Sequence, residues 1–248
     1  MPLDTPIFRL AGIRPTGRLH IGHYFSVVKP ALEFGARVLI AEYHAPEATI
    51  QDIEYTRAML DLCGVQKIQL QHVNFHTQLY FQLLSVARVG ELERMTQYMA
   101  GDNNNAHLLI YPVLMAHDVA GYDEIFVGDD QFQHINYARD LLERYNRLFN
   151  ESVRIPVARP IGGRVMSLTD PKKKMSKSQP DGCLFLDDTP QEVERKIKAA
   201  VMDDAGHANL VQLYLDLGGR EDIPEMNSVF KPMVANAILR LLPAIEEA

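Results

Sequence analysis

Two short segments far apart in the chain carry residue types suited to nucleotide chemistry: His20-Ile21-Gly22-His23 and Lys174-Met175-Ser176-Lys177-Ser178. Lys172 and Lys173 precede the second, and Gly12 and Gly17 precede the first. Histidine ring N–H groups at a helix start can donate to a triphosphate, beside backbone N–H groups that already favour an anion. Ammonium groups on flexible stems can neutralise the charge that develops on a departing pyrophosphate. On this reading His20, His23, Lys174 and Lys177 are the candidate catalytic residues. Each segment also has a plainer meaning, a tight turn with two surface histidines and a solvated run of charge. The ordered pair favours the chemical one.

The elements that must position these groups follow from the hydrophobic periods. Ile7–Ala11 predicts a buried strand, and the turn through Arg14, Thr16 and Gly17 leads into a helix over about 21–34, kinked by Pro30 and ended by Gly35. A strand at 37–41, a helix at 50–63, a strand at 68–73, helices at 77–89, 90–99 and 108–121, a strand at 124–127 and a helix at 131–147 complete the first part. Residues 149–165 read as a connecting segment. Thr189-Pro190-Gln191-Glu192 has the form of a capping box opening a helix over 190–201. Met233, Val234, Ala237, Ile238, Leu241, Leu242 and Ile245 place an apolar stripe on a last helix at 231–246. The alternation predicts an α/β fold, a doubly wound parallel sheet with a helical insertion and a small C-terminal helical region. The expected division is a nucleotide-binding catalytic domain over 1–186, with its insertion at about 74–106 and lysine loop at 170–180, and a reduced helical domain over 187–248.

Composition is that of a globular chain, with 248 residues, 47% hydrophobic, and a net charge of −7 that speaks against a surface coated in nucleic acid. Lys172, Lys173, Lys174 and Lys177 leave room for a local basic patch, whereas Arg195, Lys196 and Lys198 read as the wet face of an amphipathic helix. No apolar run is long enough for a bilayer and the N-terminus lacks a signal core, so a cytoplasmic protein is expected. Cys63 and Cys183 lack metal-ligand spacing and are expected as reduced thiols, with no protein-bound metal.

A second constellation sits on the helix at 108–121. Tyr111, Met115 and Asp118 are spaced four and three apart, which lines a ring, a thioether and a carboxylate along one face, a pocket for something flat with one donor. The plain alternative for Asp118 is an ordinary charge on a solvated face. His44, following Glu42 after the second strand, would open toward the sheet's ligand crevice, or be a satisfied structural histidine. Gly128, Asp129 and Asp130 sit at the next strand-to-helix turn, where a ribose could bind or Asp129 could cap the helix.

The two lysine and histidine segments are similar to the HIGH and KMSKS signatures of the class I aminoacyl-tRNA synthetases. Within that class the chain most resembles the tryptophanyl branch, through Gly90–Gln97, Tyr111–Asp118, Val127–His134, Ala138–Leu141 and Met166–Leu168. The resemblance covers about residues 7–202. It implies activation of tryptophan by ATP to an aminoacyl-adenylate, Mg²⁺ held through the ATP phosphates, and transfer to tRNA by a homodimer joined around Phe75–Arg94. There Phe75, Leu79, Tyr80, Leu83 and Leu84 form an apolar face that burial within one chain explains equally well. It further implies ATP contacts from Arg14, Thr16, Gly22, Gly128, Asp130, Met166, Lys174, Met175, Ser176, Lys177 and Ser178. For the amino acid it implies Leu10, His44, Tyr111, Met115, Asp118, Val127 and Gln131, with Asp118 accepting the indole N–H, Met115 packing on the ring, and Tyr111 and Gln131 holding the α-amino group.

Leu10 stands where the family usually offers an aromatic ring, and Phe126 replaces a small or cyclic residue. The chain after about Asp203 is shorter than in relatives, so absent or reduced anticodon recognition is expected. Two alternatives stay open beside the tRNA ligase: a paralogue passing the activated amino acid to another acceptor, and a silent regulatory module that keeps the pocket. Retained histidines and lysines speak against the second. A dehydrogenase is disfavoured because the turn from Gly12 to Gly22 lacks G-x-G-x-x-G spacing and Glu42 is the only acidic residue near a second strand end.

Overall fold

The computed structural model describes residues 6–100, 105–161, 165–220 and 229–242. In chain order the elements are β1 (Arg9–Ile13), α1 (Ile21–His23), a π-helical turn (Tyr24–Val28), α2 (Lys29–Phe34), β2 (Arg37–Ile40), α3 (Ile50–Leu62), β3 (Ile68–Leu70), α4 (Thr77–Val86), α5 (Val89–Leu92), α6 (Thr96–Met99), α7 (Ala106–Val119), β4 (Glu124–Val127), α8 (Phe132–Phe149), β5 (Val157–Pro160), α9 (Pro190–Ala199), α10 (Asp204–Asp216) and α11 (Phe230–Leu239). They fall into two compact units: Met1–Thr16, Lys29–Thr49 and Gln66–Ile161 in the first, Gly17–Val28, Ile50–Val65 and Gly162–Ala248 in the second.

The first unit is built on a five-stranded sheet in the order β3-β2-β1-β4-β5, every neighbouring pair parallel. Strand order reverses at β1, the topological switch at which such sheets bind ligands beyond their strand C-termini. Helices α4 to α7 fill the long crossover between β3 and β4, and this is the helical insertion. Leu10, Leu39, Val113, Ile125, Ile135 and Leu141 close the core between sheet and helices. The apolar face of α4 belongs to it, since Leu83 is fully buried and Leu79, Tyr80 and Leu84 pack against the cluster.

The second unit has its own core, with Ile21, Phe25, Leu184, Phe185, Ile197, Leu210 and Phe230 among its members. The capping box at Thr189 forms as the sequence predicts, Thr189 accepting from the Glu192 N–H and the Glu192 carboxylate accepting in return. Pro30 produces a π turn rather than a simple kink: without its N–H the usual partner of the Ser26 carbonyl is missing, and the preceding turn widens over Tyr24–Val28.

Several expectations change. The connecting segment at 149–165 contains a strand, β5; helix 90–99 is two short turns, α5 and α6; and α10, not anticipated, starts from the Asp203 cap, whose carboxylate accepts from the Gly206 N–H at 2.8 Å. α11 ends at Leu239, and the part of the expected helix beyond 242 lies outside the described residues. The solvated face assigned to Arg195, Lys196 and Lys198 is corrected at Lys196, whose side chain is 3% exposed and donates to Asp188 at 2.6 Å. The ammonium is held by a carboxylate across the cap rather than by water.

Candidate active site

In the second unit the HIGH segment is held as one edge of a small backbone ladder. Ile21 N–H donates to the Leu184 carbonyl and Leu186 N–H to the Leu19 carbonyl, both at 2.9 Å, with His20 opposite Phe185. Gly17 lies at φ +86°, a left-handed angle that a side chain would strain, and it lets the chain turn into this edge. Arg18 grips Asp187 through Nε at 2.9 Å and Nη2 at 2.6 Å, and the Tyr55 hydroxyl donates to the same carboxylate at 2.8 Å. This clamp from α3 was not visible in the sequence.

The ring nitrogens of the two histidines have defined roles. Gly22 N–H donates to His20 Nδ1 and His20 N–H donates to His23 Nδ1, each at 3.0 Å. A nitrogen that accepts carries no proton, so each neutral ring bears its hydrogen on Nε2. A Cβ at residue 22 would stand 2.7 Å from His20 Cε1, so only glycine lets this ring fold back onto the helix start. Burial, then the charges of Lys177 and Lys174, lower the His20 pKa from 6.5 to about 4. Burial and the neighbouring His20 push His23 well below its ordinary value. Both rings are therefore neutral Nε2–H donors near pH 7.

That shift has a sign. With a folded pKa near 4 against 6.5 unfolded, this ring adds no proton-linked cost above pH 6.5. As pH falls through that window, the unfolded chain takes up a proton that the folded chain refuses, and stability declines. His20→Asn keeps an acceptor for the Gly22 N–H, so its denaturant midpoint should match the parent at neutral pH and show a shallower acid decline. An equally steep decline in the variant would remove His20 as its source.

The lysine loop faces the same segment. Met166 and Lys174 form an antiparallel bridge, and the Asn209 side chain of α10 holds both backbone groups of Met166, accepting from its N–H at 3.2 Å and donating to its carbonyl at 3.1 Å. Met175 is 3% exposed, its sulfur accepting from the Leu184 N–H, so it anchors a loop in which Lys172, Lys173, Lys174, Ser176 and Ser178 are exposed. The loop is thus not the wholly exposed run its composition suggests. Lys177 Nζ donates to the Gly17 carbonyl at 3.4 Å, which brings the two signature segments together within one unit.

In the first unit a buried polar cluster lies at the C-terminal edge of the sheet. The Asp118 side chain is 6% exposed. Its Oδ2 accepts from His44 Nε2 and Gln71 Nε2, each at 2.7 Å, and its Oδ1 from His117 Nδ1 at 3.0 Å. Burial pushes its pKa up, but the hydrogen bonds from His117 and His44 outweigh it and hold the group below the usual carboxylate range. A charge on a solvated helix face is excluded. The Tyr111 ring stands edge-on to His44 at 4.5 Å and to His134 at 5.5 Å, and Met115 is half-buried on the same face. His44 Nδ1, Gln131 Oε1 and both ring nitrogens of His134 are buried without a hydrogen-bond partner. Buried polar atoms left unpaired at a strand C-terminal edge point to a ligand that satisfies them. Leu10 on β1 and Val127 on β4 are buried, and Gly128 follows β4 at the turn that carries Asp130 and Gln131. No side-chain hydrogen bond caps this turn, so Asp129 does not cap α8. Arg14 and Thr16 are exposed just after β1.

Residues 3–227 match the family of class I tRNA synthetases for tryptophan and tyrosine. The chain belongs to that class I synthetase family. Among its relatives, the tryptophan–tRNA ligase of Bacillus anthracis is 38% identical over 87% of this chain and 77% of its own length. The crystal structure of tryptophanyl-tRNA synthetase from Mycoplasma pneumoniae superposes with a TM-score of 0.76 at 26% identity, covering 96% of this chain and 86% of that one. The synthetase from Campylobacter jejuni, described as complexed with ADP and tryptophan, shares the fold at a TM-score of 0.71 and 24% identity, covering 94% of this chain and 79% of that one. Hydrogen bonds in this chain gather His44, Gln71, His117 and Asp118 into one cluster; of these, Gln71 and His117 were missed in the sequence, although His117 stands beside Asp118 and its spacing to Leu114 and Ala120 marks it as inward-facing.

Proposed function

We propose that this chain is a tryptophan–tRNA ligase: it activates tryptophan with Mg·ATP and transfers it from the aminoacyl-adenylate to tRNA. The substrate carboxylate oxygen attacks the α-phosphorus, the bond to the bridging oxygen breaks, and pyrophosphate leaves with that electron pair. A tRNA hydroxyl then displaces AMP from the acyl carbon. Neither step needs a nucleophile from the protein, so catalysis rests on position and charge.

The observation that carries the reading is the buried, ionised Asp118, with Tyr111 and Met115 on its helix face, unpaired Nδ1 on the His44 ring that donates to it, and unpaired Gln131 Oε1 at the turn after β4. A carboxylate that stays charged when buried accepts a ring N–H, the thioether packs on an aromatic ring, and the unpaired oxygen and nitrogen suit an α-ammonium. Relatives that are tryptophan–tRNA ligases support the same substrate. His20 and His23 donate Nε2–H to phosphate oxygens, and Lys174 and Lys177 neutralise the leaving pyrophosphate. Arg14, Thr16, Gly22, Gly128, Asp130, Met166, Met175, Ser176 and Ser178 are assigned to the nucleotide. Mg²⁺ arrives with the phosphates as part of the substrate; among the described residues no group of three or more His, Cys, Asp or Glu side chains is arranged to hold a metal. A homodimer is proposed on the family resemblance.

The test is amino-acid-dependent exchange of pyrophosphate into ATP across all amino acids, followed by charging of tRNA. Exchange with tryptophan and charging of tRNA is the expected result. Exchange without charging would overturn the acceptor and favour the paralogue, and exchange with tyrosine instead would overturn the substrate. The chain contains no Trp, so indole fluorescence reports the ligand without protein background.

A further inference from the structure

We infer that His117 is a positioning residue for amino-acid selection, locking the Asp118 carboxylate so that a single acceptor position is left for a substrate ring N–H. The inference rests on the reading of Asp118 as that acceptor and assigns a role to a side chain that would not touch the substrate.

The proton on His117 is placed by its neighbours. His76 N–H, just before α4, donates to His117 Nε2 at 3.0 Å. A ring nitrogen that accepts an amide hydrogen carries none itself, so the proton of the neutral ring is on Nδ1, which faces Asp118 Oδ1 at 3.0 Å. The ring is 4% exposed on its side chain and lies against Phe75 at 4.4 Å, which leaves it little freedom to turn over. His117 is thus a fixed, neutral donor with a backbone amide behind it.

Asp118 then has a countable capacity. An ionised carboxylate offers about four acceptor positions. His44 and Gln71 occupy both positions on Oδ2, and His117 occupies one on Oδ1. The position that remains is on the oxygen whose direction His117 sets. One N–H satisfies it, whereas an analogue with no donor leaves part of a buried charge unpaired, the arrangement that rejects isosteres most strongly. Without His117, Oδ1 has two open positions and the carboxylate is held through Oδ2 alone, so the direction of Oδ1 is less strictly set and the penalty for a missing donor weakens.

The two ring functions separate by substitution. His117→Asn puts an amide N–H where Nδ1 now stands, His117→Gln reaches the Nε2 position instead, and His117→Phe fills the ring volume with neither. The experiment measures kcat and KM for pyrophosphate exchange with tryptophan and with its benzothiophene analogue, in which sulfur replaces the ring N–H. It uses the full chain and these three variants. In His117→Phe and His117→Gln the preference for tryptophan should fall about tenfold, through KM more than kcat, and His117→Asn should restore most of it. Wild-type preference in both His117→Phe and His117→Gln, or His117→Asn behaving as His117→Phe, would overturn the role of His117 while Asp118 keeps its own. A parent enzyme that does not distinguish the two substrates would overturn the Asp118 reading and the inference with it. Gln and Asn are close in size and polarity, so a common loss of packing cannot imitate a difference between them.

Discussion

Replacing Lys177 by alanine is expected to slow tryptophan-dependent pyrophosphate exchange by about 10²–10³-fold, the usual effect of removing one charge-stabilising donor from a reacting centre, with KM for tryptophan changed by less than about threefold. Its ammonium is already held by the fold toward the HIGH segment, donating to the Gly17 carbonyl, and its charge is one of the causes that lower the His20 pKa to about 4. That charge adds to burial in keeping a proton off His20 in the free protein, and it is available without rearrangement when negative charge builds on the leaving group. Two measurements therefore move together in Lys177→Ala: kcat falls, and the His20 titration, followed by ring proton resonances, shifts up toward its ordinary value. Arginine at 177 keeps the charge but replaces a compact ammonium with a planar fork, and it is expected to recover only part of the rate. An unchanged kcat in the alanine variant would remove Lys177 from the chemistry, whatever happened to His20.

What could be read in advance was the chemistry that is contiguous in the chain. His20 to His23 and Lys174 to Ser178 each compress a function into a few residues, and Tyr111, Met115 and Asp118 announce a common face through helical spacing alone. The order of parallel strands and connecting helices was legible because buried strands and amphipathic helices have different periods. β5 was missed because Val157-Ala158-Arg159-Pro160 follows Pro156 and ends in proline, which reads as a connection; as the edge strand among the described residues it tolerates the missing N–H. α10 was missed because Gly206 near its start weakened the helical pattern. The partners of Asp118 were out of reach for another reason. Gln71 and His44 come from turns after different strands, and only the sheet register brings them to one carboxylate. The same holds for Asp187, which joins Arg18 and Tyr55 across 169 and 132 positions of sequence.

Lys196 shows most plainly how a charge pattern misleads, and it carries the largest expected effect on stability. Its side chain and that of Asp188 are 3% and 0% exposed and bonded at 2.6 Å. The same carboxylate oxygen accepts from the Phe185 N–H at 2.9 Å, and its other oxygen lies 3.3 Å from Arg18. Lys196 and Arg18 both stand over the Phe185 ring, at 4.8 Å and 4.0 Å. Asp188→Ala removes the counter-charge and leaves an ammonium in the core, which should cost about 3–5 kcal/mol of unfolding free energy. Lys196→Met leaves Asp188 with Arg18 and the Phe185 amide, so its cost should be smaller. Replacing both together, Asp188→Leu with Lys196→Met, should recover stability relative to Asp188→Ala, because two buried charges are removed at once and the volume is filled. Denaturant unfolding of the three variants measures this, and an Asp188→Ala chain as stable as the parent would show that the pair contributes nothing. The consequence for catalysis follows from the backbone: Phe185 is the residue paired with His20, so loss of Asp188 loosens the strand against which the HIGH segment is laid. In conditions where Asp188→Ala remains folded, its exchange rate should therefore fall as well, and the double replacement, which restores packing but not the Phe185 hydrogen bond, should recover stability more completely than rate.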